Sequence, residues 1–388
     1  MDTPRTPPAD PTIIPILSVS NFVIGMGGFV IVGLLNPVAE ELAMGTAEAG
    51  WIMTTYALAY AVLSPLLVSA TGAIGRRRVM AAGLALFAAA NAISAIAPDA
   101  ATLYASRILA AAGAGVMTPV AAAVGAGLSP PERRARALAA VFFGLTLAQV
   151  LGVPAGSFIA YTFGWRMAFW VVVLLALPCL WLIWTRVPAG LSFQPVALAD
   201  LRRILVDLPV MLAVTFTTTF LGALYVVYTF VAPLLSDTMD YGRDGITLAL
   251  FMFGIGAVLG NLLGGMAADR FGPFRTLLCL TLVQAALMPV FSALPLPGLA
   301  VMALMLVWST FGWSFMAGQQ LRLLTLAPES ASVVLALNAA AIYIGAAVGS
   351  AAGGLILSSF GLTALGIGGG IAALLAAIHL VISNRIKP

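Results

Sequence analysis

Arg107 stands inside an apolar stretch, Leu103-Tyr-Ala-Ser-Arg107 running on through Gly113 and Gly115. A guanidinium stays charged at any ordinary pH, so inside a membrane it needs a partner or a water-filled cavity. In a cavity it would hold an anionic group of a bound molecule. No acid accompanies it. The 14 acidic residues fall at the ends of apolar runs or between them. In the first run, Gly25-Met-Gly27-Gly28-Phe29 offers no titratable group. Glu40, Glu41 and Asp237, at run ends, could titrate only from an outer vestibule. The single His379 lies near the end of the last run and reads as a packing residue. Cys179 and Cys279 sit in separate apolar runs, which excludes a disulfide framework and offers no zinc spacing. A membrane enzyme needs a clustered acid, base or nucleophile, and none is present. The chain therefore reads as a non-enzyme with no catalytic residue, no metal and no cofactor.

The remaining polar and aromatic groups within apolar runs suit the lining of a cavity. They are Asn21, Met26, Tyr56, Tyr60, Gln149, Tyr225, Tyr228, Trp313, Gln319 and Asn338, with Met117, Phe216, Thr219, Trp308 and Tyr343 beside them. Intramembrane amides seldom face lipid, because their donors and acceptors need partners. Such a lining would take a moderately hydrophobic neutral molecule, or an anionic one facing Arg107, and holds no carboxylate for a cation.

The elements that position these residues follow from composition. Of 388 residues, 62% are hydrophobic and 8% charged, against roughly 45–50% and 25% in soluble domains. A bilayer-crossing helix takes about 20 residues, so twelve would use about 240, close to the apolar total. This excludes a soluble enzyme, a nucleic-acid-binding module and a disordered chain. Runs without dyad alternation exclude an outer-membrane barrel. Spans are expected at 13–39, 49–71, 79–97, 102–126, 137–161, 166–185, 209–236, 245–267, 276–295, 298–321, 332–357 and 361–383. With both termini cytoplasmic, all of the 18 basic residues except Arg107, Arg166 and Arg243 fall in cytoplasmic segments, Arg322 included. That is the positive-inside pattern of a multi-pass inner-membrane protein. The opening MDTPRTPPAD has no basic n-region, so the first run is expected to be kept as a span.

The longest polar connection, 186–208, divides the chain. The expected organisation is a disordered cytoplasmic N-terminus over 1–12, a six-helix bundle over 13–185, a cytoplasmic linker over 186–208 and a second bundle over 209–388. The halves match at a fixed offset. Gly75 and Gly272 stand 197 positions apart, as do Arg78 and Arg275, Gly115 and Gly312, Pro131-Glu132 and Pro328-Glu329, Gly152 and Gly349, and Gly156 and Gly353. A parallel repeat of two six-span halves is a transporter architecture with its site between the halves.

On four segments the chain resembles the major facilitator superfamily over essentially its full length. They are Pro65 to Gly75-Arg76-Arg77-Arg78; Gly265-Met-Ala-Ala-Asp269-Arg270-Phe-Gly272-Pro-Phe-Arg275; Leu103 to Arg107 with Gly113 and Gly115; and Gly144 to Gln149, Gly152, Pro154 and Gly156, followed by Gly164-Trp165-Arg166. The last two are similar to the twelve-span drug and sugar efflux antiporters, arabinose-efflux-like and chloramphenicol-resistance-like. The resemblance implies an all-α fold of twelve transmembrane helices in two pseudo-symmetric six-helix bundles. It implies a monomeric secondary transporter that exports a small drug-like or sugar-like molecule by alternating access and proton antiport. An ion-independent facilitator, an uptake permease or a non-transporting sensor are the alternatives. It assigns Arg107 to proton coupling, the glycines and arginines of the two loop segments to a state-dependent latch, and Gly152, Pro154 and Gly156 to the surface on which the halves rock. The chain departs from the family pattern at Val68, Gly72 and Ala73, where Gly, Asp and Arg are usual, and at Ala110, where Gln is usual. A weaker latch on the first-half side follows.

Overall fold

A computed structural model describes residues 10–130, 133–191 and 204–386. Arg5, the Pro131-Glu132 pair, Asp200, Arg202, Arg203, Lys387 and most of the expected linker lie outside the described residues.

Among the described residues there is no strand, and twelve helical spans are long and apolar enough to cross a bilayer. Spans 1 to 6 are Ile13–Glu41, Thr46–Ala70, Arg76–Ala95, Ala100–Gly127, Arg136–Phe163 and Trp165–Arg186. Spans 7 to 12 are Leu208–Met239, Arg243–Phe271, Pro273–Ala293, Gly298–Leu326, Val333–Phe360 and Ala364–Arg385. Most run a few residues past the expected ends, because polar residues such as Arg76 and Asp269 continue the helix beyond the apolar stretch. The twelve spans alternate in direction, so the start of span 1 and the end of span 12 share one face. That face is called the terminal face below, and the other the opposite face. Asp10 accepts bonds from the amide and hydroxyl of Thr12 and lies 3.5 Å from Arg186 at the end of span 6.

The outer surface is apolar. Leu174, Trp181, Leu262 and Leu355 are exposed, while Asn21, Asn91, Arg107 and Gln319 are fully buried. This inversion of the soluble pattern fits a lipid solvent, where polar groups must find partners inside. The chain is a multi-pass membrane protein.

The offset of 197 recurs in the backbone. Gly164, between spans 5 and 6, has φ 89°, and Gly361, between spans 11 and 12, has φ 84°. Both are tight turns in which a side chain would be strained. Packing repeats as well. Span 5 lies on span 1 through Gly152, where a methyl would sit 3.0 Å from the Met26 Cβ. Span 11 lies on span 7 through Gly349 and Gly353, where methyls would sit 2.8 Å from the Tyr225 Cβ and 2.7 Å from the Val226 carbonyl oxygen.

Three spans are interrupted. Span 1 breaks at Val30, span 7 at Thr229-Phe230 and span 10 at Ser314. Span 4, their symmetry relative, runs on as one helix through Pro119. Span 5 widens into a π-helical turn over Ala148–Gly152.

The halves are joined from mid-depth to the opposite face. Ser350 donates to the Gly50 carbonyl at 3.0 Å, and Tyr60 stacks on Tyr343 with centroids 3.6 Å apart. Gly254 leaves room for the backbone of Gln149 and Val150. Arg243 lies over the Phe158 ring. On the terminal side a separate small core, including Ala213, Val214, Leu323 and Val334, belongs to the second half alone. Among the described residues no hydrogen bond or ring contact links the halves there. The fold is thus shut at the opposite face and parted at the terminal face.

Candidate functional site

Small residues set the position of Arg107. Span 4 starts at Asp99, whose carboxylate caps it by accepting from the Thr102 amide at 2.7 Å. Arg107 falls two turns further in. Beyond it, Gly113 lets the backbone of Gly83 and Phe87 in span 3 press close. That approach brings Asn91, a turn beyond Phe87, against the guanidinium. In span 1, Gly27 and Gly28 leave no room for a Cβ beside Phe87, Asn91 and the Tyr56 hydroxyl.

Arg107 is completely buried in this pocket. Nη2 donates to the Gly27 carbonyl at 2.6 Å and Nη1 to the Asn91 Oδ1 at 3.3 Å. The guanidinium carbon lies 4.8 Å from the Tyr56 ring centroid and 5.4 Å from that of Phe169. Nε has no partner. An arginine in a span costs several kcal/mol without partners. Two neutral oxygens and two ring faces, each worth about 0.5–2 kcal/mol, offset part of that. In this state Arg107 faces no open cavity; it clamps span 1 to spans 2, 3 and 6.

From Tyr56 an aromatic seam crosses to the second half. Tyr60 lies 6.4 Å from Tyr56 and stacks on Tyr343. Tyr225 meets Tyr228 edge-on at 5.5 Å. Tyr228 stacks on Phe253 at 4.3 Å, and its hydroxyl donates to Gln149 at 3.0 Å. Gln149 sits in the π turn, whose widened backbone aims it at span 7. Thus Arg107, Tyr56, Tyr60, Gln149, Tyr225 and Tyr228 come together at mid-depth.

The other expected lining residues do not join them. Asn21 donates to the Val141 carbonyl at 3.0 Å and ties span 1 to span 5. Met26 is covered by Gly152. Trp313 stands partly buried beside the break in span 10, with its Nε1 unpartnered. Gln319 and Asn338 form a second polar group nearer the terminal face. Gln319 donates to the Ala213 carbonyl at 2.6 Å and to Thr217 Oγ1 at 2.9 Å, and Thr217 donates to Asn338 at 2.5 Å.

Arg322 is corrected. Instead of lying in a loop it is buried in span 10 and donates to Ser383 Oγ at 2.8 Å, with Nη1 unpartnered. His379 is not only a packing residue: its Nδ1 lies 3.1 Å from Thr219 Oγ1. Sequence reasoning missed Asn91 and Arg322; the available signal was an amide and a charge inside apolar runs.

The loop residues lie on the terminal face. Gly75 precedes span 3, and Arg76 is held there, its amide donating to the Leu191 carbonyl at 3.0 Å. Arg77 lies 5.0 Å over Trp184, and Arg78 is exposed. Gly265 and Asp269 close span 8; Asp269 is exposed and has no ion-pair partner among the described residues. Arg270 packs on Phe271, Gly272 turns the chain at φ 78°, and Arg275 is exposed. At the opposite face Glu41 pairs with Arg166 and accepts from Trp165 Nε1 at 2.7 Å, which ties span 1 to span 6 within the first half. Arg166 also reaches the Ala97 carbonyl at 2.8 Å.

Comparison with known proteins places this geometry. A family model described as Major Facilitator Superfamily matches residues 17–333. An inner membrane transport protein of Escherichia coli (strain K12), YdhP, is 31% identical over 376 residues, covering 96% of each chain. An uncharacterized MFS-type transporter of Bacillus subtilis (strain 168), YbcL, is 29% identical over 374 residues, again 96% of each. Among solved structures a D-xylose-proton symporter superposes with TM-score 0.76 at 18% identity, over 97% of this chain and 98% of that one. A bacterial homologue of the human lysosomal transporter Spinster, inward-facing and unoccupied, gives TM-score 0.73 at 18% identity, over 96% and 95%.

Proposed function

Because the chain belongs to the major facilitator superfamily, we propose that it exports a small organic molecule, drug-like or sugar-like, by proton-coupled antiport. The membrane is the inner membrane, and the terminal face is the cytoplasmic one. The bundles 13–185 and 209–388, joined by 186–208, rock about the aromatic seam. Gly152, Pro154 and Gly156 of span 5 supply part of the sliding surface, since small residues allow close helix approach and the proline bends the span.

The observation that carries this reading is the one-sided closure. The halves are stapled by Ser350 to Gly50, by Tyr60 on Tyr343 and by Tyr228 to Gln149, all between mid-depth and the opposite face. A carrier that works by alternating access must break these staples and form others near the terminal face. The tyrosine-rich seam favours a neutral, moderately hydrophobic substrate, with Arg107 behind Tyr56 as the reserve for an anionic group once span 1 moves.

The test is transport into inverted or reconstituted vesicles across a compound library, with internal pH followed. Substrate-dependent proton movement is expected. Equal transport without a proton gradient would reduce the reading to a facilitator, and no transport of any compound would overturn it.

A further inference from the structure

If the export cycle is proton-coupled, as read above, one group must bind and release the proton inside the membrane. Among the described residues every carboxylate lies at a helix end or between spans. His379 is the one side chain within a span whose ordinary titration lies between pH 5 and 8.

Its setting is built from three spans. Nδ1 lies 3.1 Å from Thr219 Oγ1 in span 7. That hydroxyl also lies 3.0 Å from the Phe216 carbonyl. Nδ1 and the hydroxyl share one hydrogen bond, and the other ring nitrogen, Nε2, is buried without a hydrogen-bond partner. The Phe216 ring meets the imidazole edge-on at 6.2 Å, and the Leu212 carbonyl also faces it. From span 10, the Arg322 guanidinium reaches span 12 one helical turn from His379, at Ser383. Arg322 is 94% buried, bonded to Ser383 of span 12, with Nη1 unpartnered. Other titratable groups stand apart: Asp207 caps span 7, Tyr225 and Tyr228 lie in the seam, Arg275 and Cys279 of span 9 are exposed, Tyr343 of span 11 is stacked on Tyr60, and Arg385 ends span 12.

The helix that carries Arg322 is set off from the rest of span 10. Span 10 is broken at Ser314, and the segment Phe315–Leu326 buries Phe315, Gly318, Gln319, Arg322 and Leu323 on one face. Gln319 of that face is bonded to span 7, and Thr217 of span 7 to Asn338 of span 11. A swing of the segment thus changes the seam-side helices and the distance from Arg322 to His379 together.

We propose that His379 is the protonation site to which the conformational cycle of this chain is coupled, with Arg322 as the movable charge that opposes it. In the state open at the terminal face, Arg322 stands beside the ring and His379 is neutral. Closure of that face swings Arg322 away, and the imidazole takes one proton from cavity water. On return, Arg322 expels that proton to water at the terminal face. One proton binds and one leaves per cycle, and no other bond is made or broken.

The test uses the full chain in lipid with Cys279→Ser and a nitroxide pair at Ala70→Cys and Ala336→Cys, at the exposed terminal-face ends of spans 2 and 11. Cys179 is buried and remains. The distance distribution is expected to shift with a midpoint between pH 5 and 8. In His379→Gln the shift is lost. In Arg322→Ala its midpoint rises by roughly one pH unit, since an opposing charge has gone. An unchanged pH response in His379→Gln overturns the proposal. If that variant does not fold, Thr219→Val serves, because it removes the hydrogen-bond partner of Nδ1; an unmoved midpoint there overturns it equally. Vesicle transport measured in parallel separates the two readings. Transport with a pH response that survives in His379→Gln sinks only the coupling site. No transport with the response lost sinks only the exporter.

Discussion

Arg107 gives its hydrogen bonds to neutral oxygens, the Gly27 carbonyl and the Asn91 amide. Truncation would leave both bare in a buried place, at about 1–3 kcal/mol each. Arg107→Ala is therefore expected to abolish transport and also to lower the thermal midpoint of the purified protein. Arg107→Lys keeps a cation but loses the planar fork, and should recover part of the stability and little of the transport. Unfolding curves beside vesicle transport decide this, and wild-type transport in Arg107→Ala would sink the assignment. Arg107 was legible in the sequence because a guanidinium in an apolar run has no neutral explanation. Its partner Asn91 was not, since only the Gly83–Gly113 approach brings span 3 within reach. Arg322 misled for a related reason. It lies one turn from the end of span 10, where an arginine can as well point outward, and what turns it inward is Ser383 in span 12.

At the scale of elements, two glycines that read alike in sequence do different work. Gly144 packs span 5 on the Ser18 carbonyl of span 1, within one half. Gly50 packs span 2 against the Phe230 ring of the other half. Gly144→Ala is expected to destabilise the fold by about 1–3 kcal/mol through overpacking, in whichever state it is measured. Gly50→Ala strains only the state shut at the opposite face, so it should leave the melting curve nearly unchanged and lengthen label distances across that face. A Gly50→Ala variant with wild-type distances would show that this contact does not govern closure. The cap of span 4 makes a pH-dependent contribution. The Thr102 amide holds the Asp99 carboxyl below its ordinary value. Its stabilisation is complete above the unfolded value of about 3.9 and is lost as pH falls through the lowered folded value. The difference in thermal midpoint between wild type and Asp99→Ala should stand at pH 6 and shrink toward pH 3; a gap independent of pH would rule out the carboxylate as its source.

For the whole molecule, twelve spans and their order followed from span-length arithmetic, because lipid leaves a chain few alternatives to the helix. The repeat followed from Gly75 and Gly272 and reappeared in the positive φ of Gly164 and Gly361. The interruptions at Val30, Thr229-Phe230 and Ser314 did not follow. No proline lies at Val30 or Ser314, and the Gly27 carbonyl near the first is taken by an arginine from another span; at Thr229 the cause is Pro233, which has no amide for the carbonyl four residues before it. Nor does a sequence state which face is parted. With the terminal face parted, Asp269 is exposed and unpaired among the described residues. If Asp269 helps to close that face, Asp269→Asn should populate the parted state further, raising the labelling rate of cysteines placed at the terminal ends of spans 2 and 11; an unchanged rate would count against a latch there. The two buried arginines carry a last consequence. Arg107 lies at mid-depth and Arg322 near the terminal face, and among the described residues no buried acid balances either. Rocking that carries one of them through a fraction of the bilayer moves net charge in the electric field, at about 2.3 kcal/mol per charge and 100 mV for a full crossing. A displacement through a tenth of the thickness is then worth about 0.2 kcal/mol at that voltage. The resting potential of the cell thereby becomes a force acting directly on the conformational balance of the protein, separate from any gradient of protons.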